Sequence, residues 1–261
     1  RQMCIRDRTN VGLAEIAKLP KLRHLIIRFA PITDAGLKPL ADLKGLESLF
    51  PIWQALNDAQ RAKLLIDATP RSVEKDTVLM NGSADCVGLF LIESGQLRTY
   101  IVSDEGKEIT LYRLFERDIC LFSASCLIAS LQFDIWVEAE KQSRFWVLPV
   151  STYENLMESS PVVANYTSEL MASRFSEIMW LMEQILFKRF DSRLASFLLD
   201  ESAVEGALVL SLTHERIANH LGTAREVVTR MLKYFQEEGM VKLARGKVCL
   251  INEQKLNKLI T

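Results

Sequence analysis

The stretch from Pro161 to Phe187 constrains the fold of this chain more than any other part of the sequence. It contains no glycine, and its proline stands where the first turn of a helix favours that residue. Residues also recur at intervals of seven, which places them along one side of a helix at a/d positions. The two recurring series are Ser168, Phe175 and Met182, and Ala164, Met171, Ile178 and Ile185.

A helix of this length has more apolar surface than one neighbouring domain covers. We therefore predict that it pairs with the same helix of a second copy across a two-fold axis, which makes the protein a homodimer. The predicted dimerisation residues are Met171, Phe175, Ile178, Met182 and Ile185. The alternative is a helix packed only on its own domain.

The segment before that helix has a different periodicity. Between residues 73 and 148, short β-rich runs alternate with turn residues at a spacing of roughly 8–12 residues. Leu97–Val102, for example, is followed by a hairpin loop at Ser103–Gly106 and a return strand at Glu108–Leu114. This spacing predicts an antiparallel sandwich or barrel. Ahead of it, Ile52–Ile66 predicts a helix of about four turns that ends before a Thr-Pro pair.

The chain ends with two short amphipathic helices joined by a glycine turn. The first is predicted over Leu212–Leu221, the turn lies at Gly222-Thr223, and the second helix covers Ala224–Phe235. This order is typical of a helix-turn-helix. The predicted buried seam consists of Ile217, Ala218, Leu221, Val228, Met231 and Leu232. Residues 239–251 then predict a two-stranded wing.

The distribution of charged residues and histidines indicates which partners and which metal sites to expect. Residues 188–261 carry 12 Lys/Arg against 9 Asp/Glu, whereas residues 50–187 carry 11 against 19, so only the basic end favours contact with a polyanion. Histidines occur at 24, 214 and 220, and none lies within 50–187. This argues against imidazole-based metal chemistry there. With no base, nucleophile or metal constellation, we predict no catalytic residues, no metal and no enzyme activity.

This order of helix, β-domain, long helix and winged helix-turn-helix resembles the CRP/FNR transcription regulators over residues 50–261. The resemblance implies an α+β protein with a double-stranded jelly roll, or β-roll, like that of cyclic-nucleotide-binding domains. It also implies a homodimer that binds double-stranded DNA and contacts RNA polymerase. The implied division is a fragment at 1–49, a sensor domain at 50–158, a dimerisation helix at 159–187 and a DNA-binding domain at 188–261.

The resemblance is most specific between Thr213 and Leu232. It implies that Arg225, Glu226 and Arg230 read base edges, since Arg pairs with guanine and Glu accepts from cytosine N4. The full set of implied DNA-binding residues is Thr213, Thr223, Arg225, Glu226, Thr229, Arg230 and Lys233. An Arg at position 225 is a feature of CRP-type heads, which implies a half-site similar to TGTGA.

Other interpretations of these residues stay open. Glu226 stands three residues after Thr223, the spacing of a capping box, so it has a purely structural interpretation as well. The arginines have alternative interpretations as phosphate contacts or as part of a solvated face.

The sensor segment departs from the family. Cyclic-nucleotide binders of this type have a Gly-Glu pair for the ribose and an Arg-Ser pair for the phosphate. Neither pair occurs in the matching stretches, residues 118–122 and 131–136, where Phe133 and Asp134 stand instead. A carboxylate without an arginine would leave a bound phosphate uncompensated, so cyclic AMP is disfavoured and the cofactor stays unknown.

Cysteines offer an alternative sensor. Oxygen-sensing FNR proteins carry a cysteine cluster ahead of the β-roll, and only Cys4 stands there. Cys120 and Cys126 remain as candidates for a redox- or metal-responsive regulator. On a straight strand they would lie too far apart to bridge, although Ser123–Ser125 permits a bend. The alternative is that both are small buried hydrophobic residues.

The first 49 residues have a different character. Thr9–Leu13 aligns with Thr33–Leu37, and leucines follow each at matching positions, as in a leucine-rich repeat. Two units are too few to bury a shared core, which disfavours a leucine-rich-repeat interaction protein. Met3–Arg8 resembles a translated sequencing-adapter remnant, which would make the segment a chimeric artefact.

Composition and cysteine spacing suggest a compartment. No apolar run approaches 18 residues and the first residues lack an apolar core, so we expect neither a membrane span nor a signal peptide. The five cysteines lack the spacing of a disulfide framework. This favours the reducing cytoplasm.

Overall fold

The computed structural model describes residues 2–4, 24–26, 50–82, 87–127 and 134–260. Over these residues the chain has the mixed helix-and-sheet architecture that the sequence predicts, with a β-domain, a long helix and a helical C-terminal domain in that order.

The first two described segments are short strands. β1 (Gln2–Cys4) pairs in parallel with β2 (His24–Ile26). The repeated motifs at 9–13 and 33–37, on which the leucine-rich-repeat prediction depends, lie outside the described residues.

The described residues between 69 and 148 form a β-domain that we call the roll. Its strands are β3 (Thr69–Val73), β4 (Val78–Asn81), β5 (Leu89–Ser94), β6 (Leu97–Val102), β7 (Glu108–Leu114), β8 (Ile119–Cys120), β9 (Trp136–Ala139) and β10 (Ser143–Leu148). One antiparallel sheet has the order β3-β10-β5-β8 and a second has the order β4-β9-β6-β7. The jelly-roll prediction is therefore confirmed.

Alternating side chains of the two sheets build the roll's interior. Phe90 and Phe145 from the first sheet meet Leu97 and Val137 from the second in one buried cluster. Apolar residues on the outer face of the first sheet, such as Leu91, pack instead against the flanking helices. The sheet is thus covered on both sides, which explains why β5 begins with four consecutive apolar residues, Leu89–Ile92.

The helix predicted over Ile52–Ile66 is interrupted. A 3-10 turn at Trp53–Ala55 comes first, and α1 (Asp58–Asp67) begins after Asn57. The Asn57 side chain accepts from the amide of Gln60, whose own side chain accepts from the Asn57 amide. This capping box starts a new helix inside the predicted one.

Two helices follow the roll. α2 (Val150–Ser159) leads into α3 (Pro161–Phe187), which matches the predicted long helix at both ends. Val163, Tyr166 and Leu170 of α3 are buried against α1, α2 and the roll. The inner side of α3 therefore belongs to its own domain.

The C-terminal domain, which we call the head, covers residues 190–260. Its elements are α4 (Phe190–Glu205), β11 (Val209–Leu210), α5 (His214–Leu221), α6 (Arg225–Glu237), β12 (Val241–Ala244), β13 (Lys247–Leu250) and α7 (Glu253–Lys258). β12 and β13 form the predicted wing, to which β11 adds a strand. Among the residues that the structure describes, no helix is long and apolar enough to cross a membrane.

Candidate nucleic-acid interface

The turn between α5 and α6 is set by local chemistry. Thr213 caps α5, since its hydroxyl accepts from the Arg216 amide at 3.1 Å. Gly222 ends the helix with φ +65°, a left-handed conformation that side chains disfavour. The predicted helix start at Leu212 is therefore two residues early, because Thr213 supplies the cap.

Apolar residues fix the orientation of α6. Val228, Leu232 and Phe235 are fully buried and pack on Ile217 and Ala218 of α5. The predicted seam is confirmed, with Met231 at its half-buried margin. α6 thus turns its opposite side outward.

That outward side carries the candidate DNA-binding residues. Arg225, Glu226, Arg230 and Lys233 are all exposed, on one arc of α6. A helix with several exposed donors and one acceptor on a single face has the chemistry that a major groove requires. The structure brings these four predicted residues together.

The remaining candidates have structural contacts. The Thr229 hydroxyl donates to the Arg225 carbonyl at 2.9 Å and lies 2.9 Å from Nδ1 of His214. Burial, followed by the charge of Arg225, lowers the pKa of His214. Thr229 therefore links the two helices while it stays on the outward face.

The capping-box interpretation of Thr223 and Glu226 is wrong. α6 begins after Ala224, and no side chain caps it. Thr223 instead donates its amide to the Ala218 carbonyl as part of the α5 terminus. Glu226 is thereby left available as an acceptor at the protein surface.

The wing adds cations that were not among the residues predicted from the sequence. Lys242, Arg245 and Lys247 are exposed on β12, the wing turn and β13. Basic side chains beside a recognition helix are suited to phosphate contact. The sequence signal that could have identified them is their position in a predicted wing with an Arg-Gly turn.

The side of α5 that faces away from α6 is docked on the roll. Leu221 forms an isolated antiparallel bridge with Ile109 of β7, and a Cβ on Gly222 would lie 2.8 Å from the Ile109 side chain. Arg216 and His220 of α5 reach carboxylates of the roll. Neither residue was predicted from the sequence, because no local pattern marks a contact between domains.

Burial shifts the protonation of this junction. It lowers the pKa of His220 to about 3, against the hydrogen bond to Glu140 that favours the charged form. Burial alone would raise the pKa of Glu140, but His220, Arg113 and Arg216 hold it well below its usual range. We therefore describe Glu140 as ionised and His220 as neutral at pH 7.

The candidate sensor cysteine lies in the roll's interior. Cys120 is fully buried, and burial raises the pKa of its thiol. A buried protonated thiol is a poor nucleophile and a poor metal ligand. The side chain of Cys126 lies outside the described part of the chain. Within that part, no group of three or more His, Cys, Asp or Glu residues is placed to hold a metal.

The predicted dimerisation residues divide into two sets. Phe175, Met182 and Ile185 are exposed, as an unpaired seam requires. Met171 and Ile178 are half-buried and pack against apolar clusters of their own protomer. These two predicted residues are therefore partly covered within their own protomer.

Known proteins share both domains. Residues 70–160 match the family model of the cyclic nucleotide-binding domain, and residues 192–259 match that of the Crp-like helix-turn-helix domain.

Among curated proteins, the fumarate and nitrate reduction regulatory protein of Yersinia pestis is 26% identical over 72% of this chain and 77% of its own length. The transcriptional regulator flp of Lacticaseibacillus casei is 24% identical, over 80% of this chain and 95% of its own.

A solved structure gives the strongest of these comparisons. A CRP/FNR-family transcriptional regulator from Eubacterium rectale ATCC 33656 is 54% identical, with a TM-score of 0.79. The match covers 81% of this chain and 98% of that one. The chain therefore belongs to the CRP/FNR family of transcription regulators, which are not enzymes.

Proposed function

We propose that this regulator is a homodimer that reads an inverted-repeat operator with α6 of each protomer. The observation that carries the proposal is the exposed set of Arg225, Glu226, Arg230 and Lys233 on a helix whose other face is fixed in the head's core. Side chains held this way can enter a major groove without rearrangement of the head. By family resemblance, RNA polymerase in the cytoplasm is the second partner.

The outer surface of α3 supports the homodimer. Phe175, Met179, Met182 and Leu186 are 65, 45, 46 and 66% exposed and follow each other at helical spacings of three and four. They lie on the opposite side of α3 from the residues that pack on the roll. An apolar stripe of this kind on a soluble domain marks an interaction surface, and a two-fold copy of itself is complementary to it.

Met182→Glu tests the dimer. If the stripe is buried against a partner helix, the new carboxylate would be desolvated without a partner, and the protein should sediment as a monomer. Glu183→Gln is the matched control, since it alters the neighbouring side chain without adding charge. A Met182→Glu protein that sediments as a dimer like wild type would show that the dimer forms elsewhere.

A selection from random DNA with the full chain tests the reading function. Two heads related by a two-fold axis should recover half-sites in inverted orientation, about one helical turn apart. CRP-like chemistry at Arg225 favours half-sites similar to TGTGA. Recovered sequences without dyad symmetry would contradict the proposal.

The effector of the proposed regulator is not cyclic AMP. The residues that would hold its ribose and phosphate are missing from the sequence, and Asp134, which is exposed, adds a negative charge at that place. Calorimetric titration with cyclic AMP should show no binding at micromolar concentrations. The redox alternative is weakened by the burial of Cys120, and oxidants should leave DNA affinity unchanged.

A further inference from the structure

Charged side chains connect the head to the roll in a buried cluster. Arg216 of α5 places Nη1 2.6 Å from Oε1 of Glu138 and Nη2 3.1 Å from Oε1 of Glu140. His220 lies 3.1 Å from the same Glu140 oxygen. Arg98 of β6, which is fully buried, donates to the Asn219 carbonyl at 3.2 Å.

β7 completes the cluster from the roll side. Arg113 pairs with Glu140 at 2.8 Å and with Glu201 of α4. The hydroxyl of Thr110 lies 2.8 Å from Nδ1 of His220. A register shift in the β6–β7 pairing, between Thr99 and Tyr100, accompanies this arrangement, in which Thr110 and Arg113 both reach the head.

We propose that this cluster is a clamp that holds each head in its DNA-binding orientation. The clamp consists of Arg98, Glu108, Thr110, Arg113, Glu138, Glu140, Glu201, Arg216 and His220. Because most of its charged groups are buried, only one docking geometry pairs them all, whereas an apolar contact would tolerate sliding.

The clamped orientation leaves the candidate DNA-binding surface open. α5 docks on the roll through Arg216 and His220, while Arg225 and Arg230 of α6 remain exposed. Two heads held in fixed positions lose less freedom when they engage two half-sites together. The clamp therefore favours binding to a dyad operator. This inference rests on the proposed function, in which two heads bind one operator together.

The clamp also has a connection to the sensor. Tyr112 of β7 points into the roll, where the guanidinium carbon of Arg174 from α3 lies 4.6 Å from its ring centroid. The next residue along the strand is Arg113 of the clamp. A cleft of about 910 Å³ between β7, α3 and α4 has Tyr112, Arg113, Arg174 and His220 in its wall. A molecule that shifted β7 or entered the cleft would act on the clamp directly.

Glu140→Gln tests the clamp from the roll side, where the substituted residue cannot touch DNA. The experiment uses the full chain and two measurements. Hydrogen–deuterium exchange should speed up in α5 and in β7, because the head undocks more often. Binding to a selected dyad site should weaken at least about tenfold, while binding to the same DNA with one half-site scrambled should be unchanged.

Glu116→Gln is the matched control, since it removes the same charge from an exposed position of the roll. Loss of a negative charge alone strengthens DNA binding slightly, so the clamp predicts the opposite sign for Glu140→Gln. Glu138→Gln serves as a second variant if the first does not fold.

Unchanged exchange in α5 overturns the clamp whether or not DNA binds. Tighter dyad binding by Glu140→Gln overturns the assignment of the clamped state as the competent one. Failure of the wild type to bind any dyad site contradicts the proposed function instead, and the exchange measurement still decides whether the clamp exists.

Discussion

The head carries arginines on two opposite faces. On α6, Arg225 and Arg230 are exposed. On α5, Arg216 pairs with Glu138 and Glu140 of the roll. Glu138 also pairs with Arg98, which is fully buried. An arginine side chain is thus an exposed donor on α6 and a paired structural charge on α5. Burial and partners, which sequence spacing does not reveal, decide which of the two an arginine becomes.

The largest expected effect is the difference in stability between Arg98→Met and Arg225→Met. The guanidinium of Arg98 pairs with Glu108 at 2.7 Å and Glu138 at 3.0 Å, and its loss leaves both carboxylates without that partner. We expect the free energy of unfolding to fall by about 3–5 kcal/mol, measured by urea denaturation. Arg225→Met should change it by less than about 0.5 kcal/mol. Equal values for the two variants would remove the distinction between the buried, paired arginine of the cluster and the exposed arginine of α6.

For DNA affinity, the exposed arginine should be the one that matters, and the change in free energy should be smaller than the loss of stability above. Arg225→Ala should cost about 1–3 kcal/mol per half-site and relax the preference at one base pair, as measured by competition binding. Lys233→Ala should weaken all sequences alike and reduce the salt slope by about one, if it contacts phosphate. Unaltered base preference in Arg225→Ala would show that this arginine contacts phosphate too.

The smallest effect concerns pH. His220 faces Glu140, Thr110 and Arg113, with Arg98 nearby, and its pKa lies near 3 when the chain is folded. An unfolded histidine titrates near 6.5, so between pH 7.5 and 5.5 only the unfolded chain takes up this proton. The free energy of unfolding should therefore fall on acidification, by up to about 1.4 kcal/mol from this residue.

His220→Gln isolates that contribution. Glu201 has a pKa that burial raises, so it acts in the opposite direction, but it is retained in both proteins. Urea denaturation at the two pH values should show a smaller loss in the variant. An equal loss in the two proteins would mean that His220 takes up its proton alike in the folded and the unfolded chain.

The two helices of the helix-turn-helix and the wing could be predicted to within about two residues. Helix caps, a glycine turn and apolar spacing are local signals, and Thr213, Gly222 and the buried seam follow from them. The long helix was predicted for the same reason. Prediction failed at Asn57, whose side chain caps a new helix inside the predicted one, and at Thr223, whose amide belongs to the end of α5.

The contacts between domains could not be predicted. Arg98 and Arg216 are 118 positions apart and stand in stretches that read as a polar strand face and a polar helix face. The packing of α5 on the roll brings them into one cluster, in which Arg98 is fully buried and Arg216 half-buried. The predicted dimerisation residues divide into two sets for the same reason. Met171 and Ile178 are half-buried within their own protomer, and the heptad pattern does not show where the rest of that protomer lies.

The length of α3 has a mechanical consequence. Its 27 residues span about 40 Å at 1.5 Å per residue. A rigid rod of that length acts as a lever, so a tilt of about 5° at the roll displaces the far end by roughly 3.5 Å. This is close to the rise of one base pair along each DNA strand, about 3.4 Å. A small tilt of α3 would thus displace its far end, to which the head is joined, by about one base-pair step.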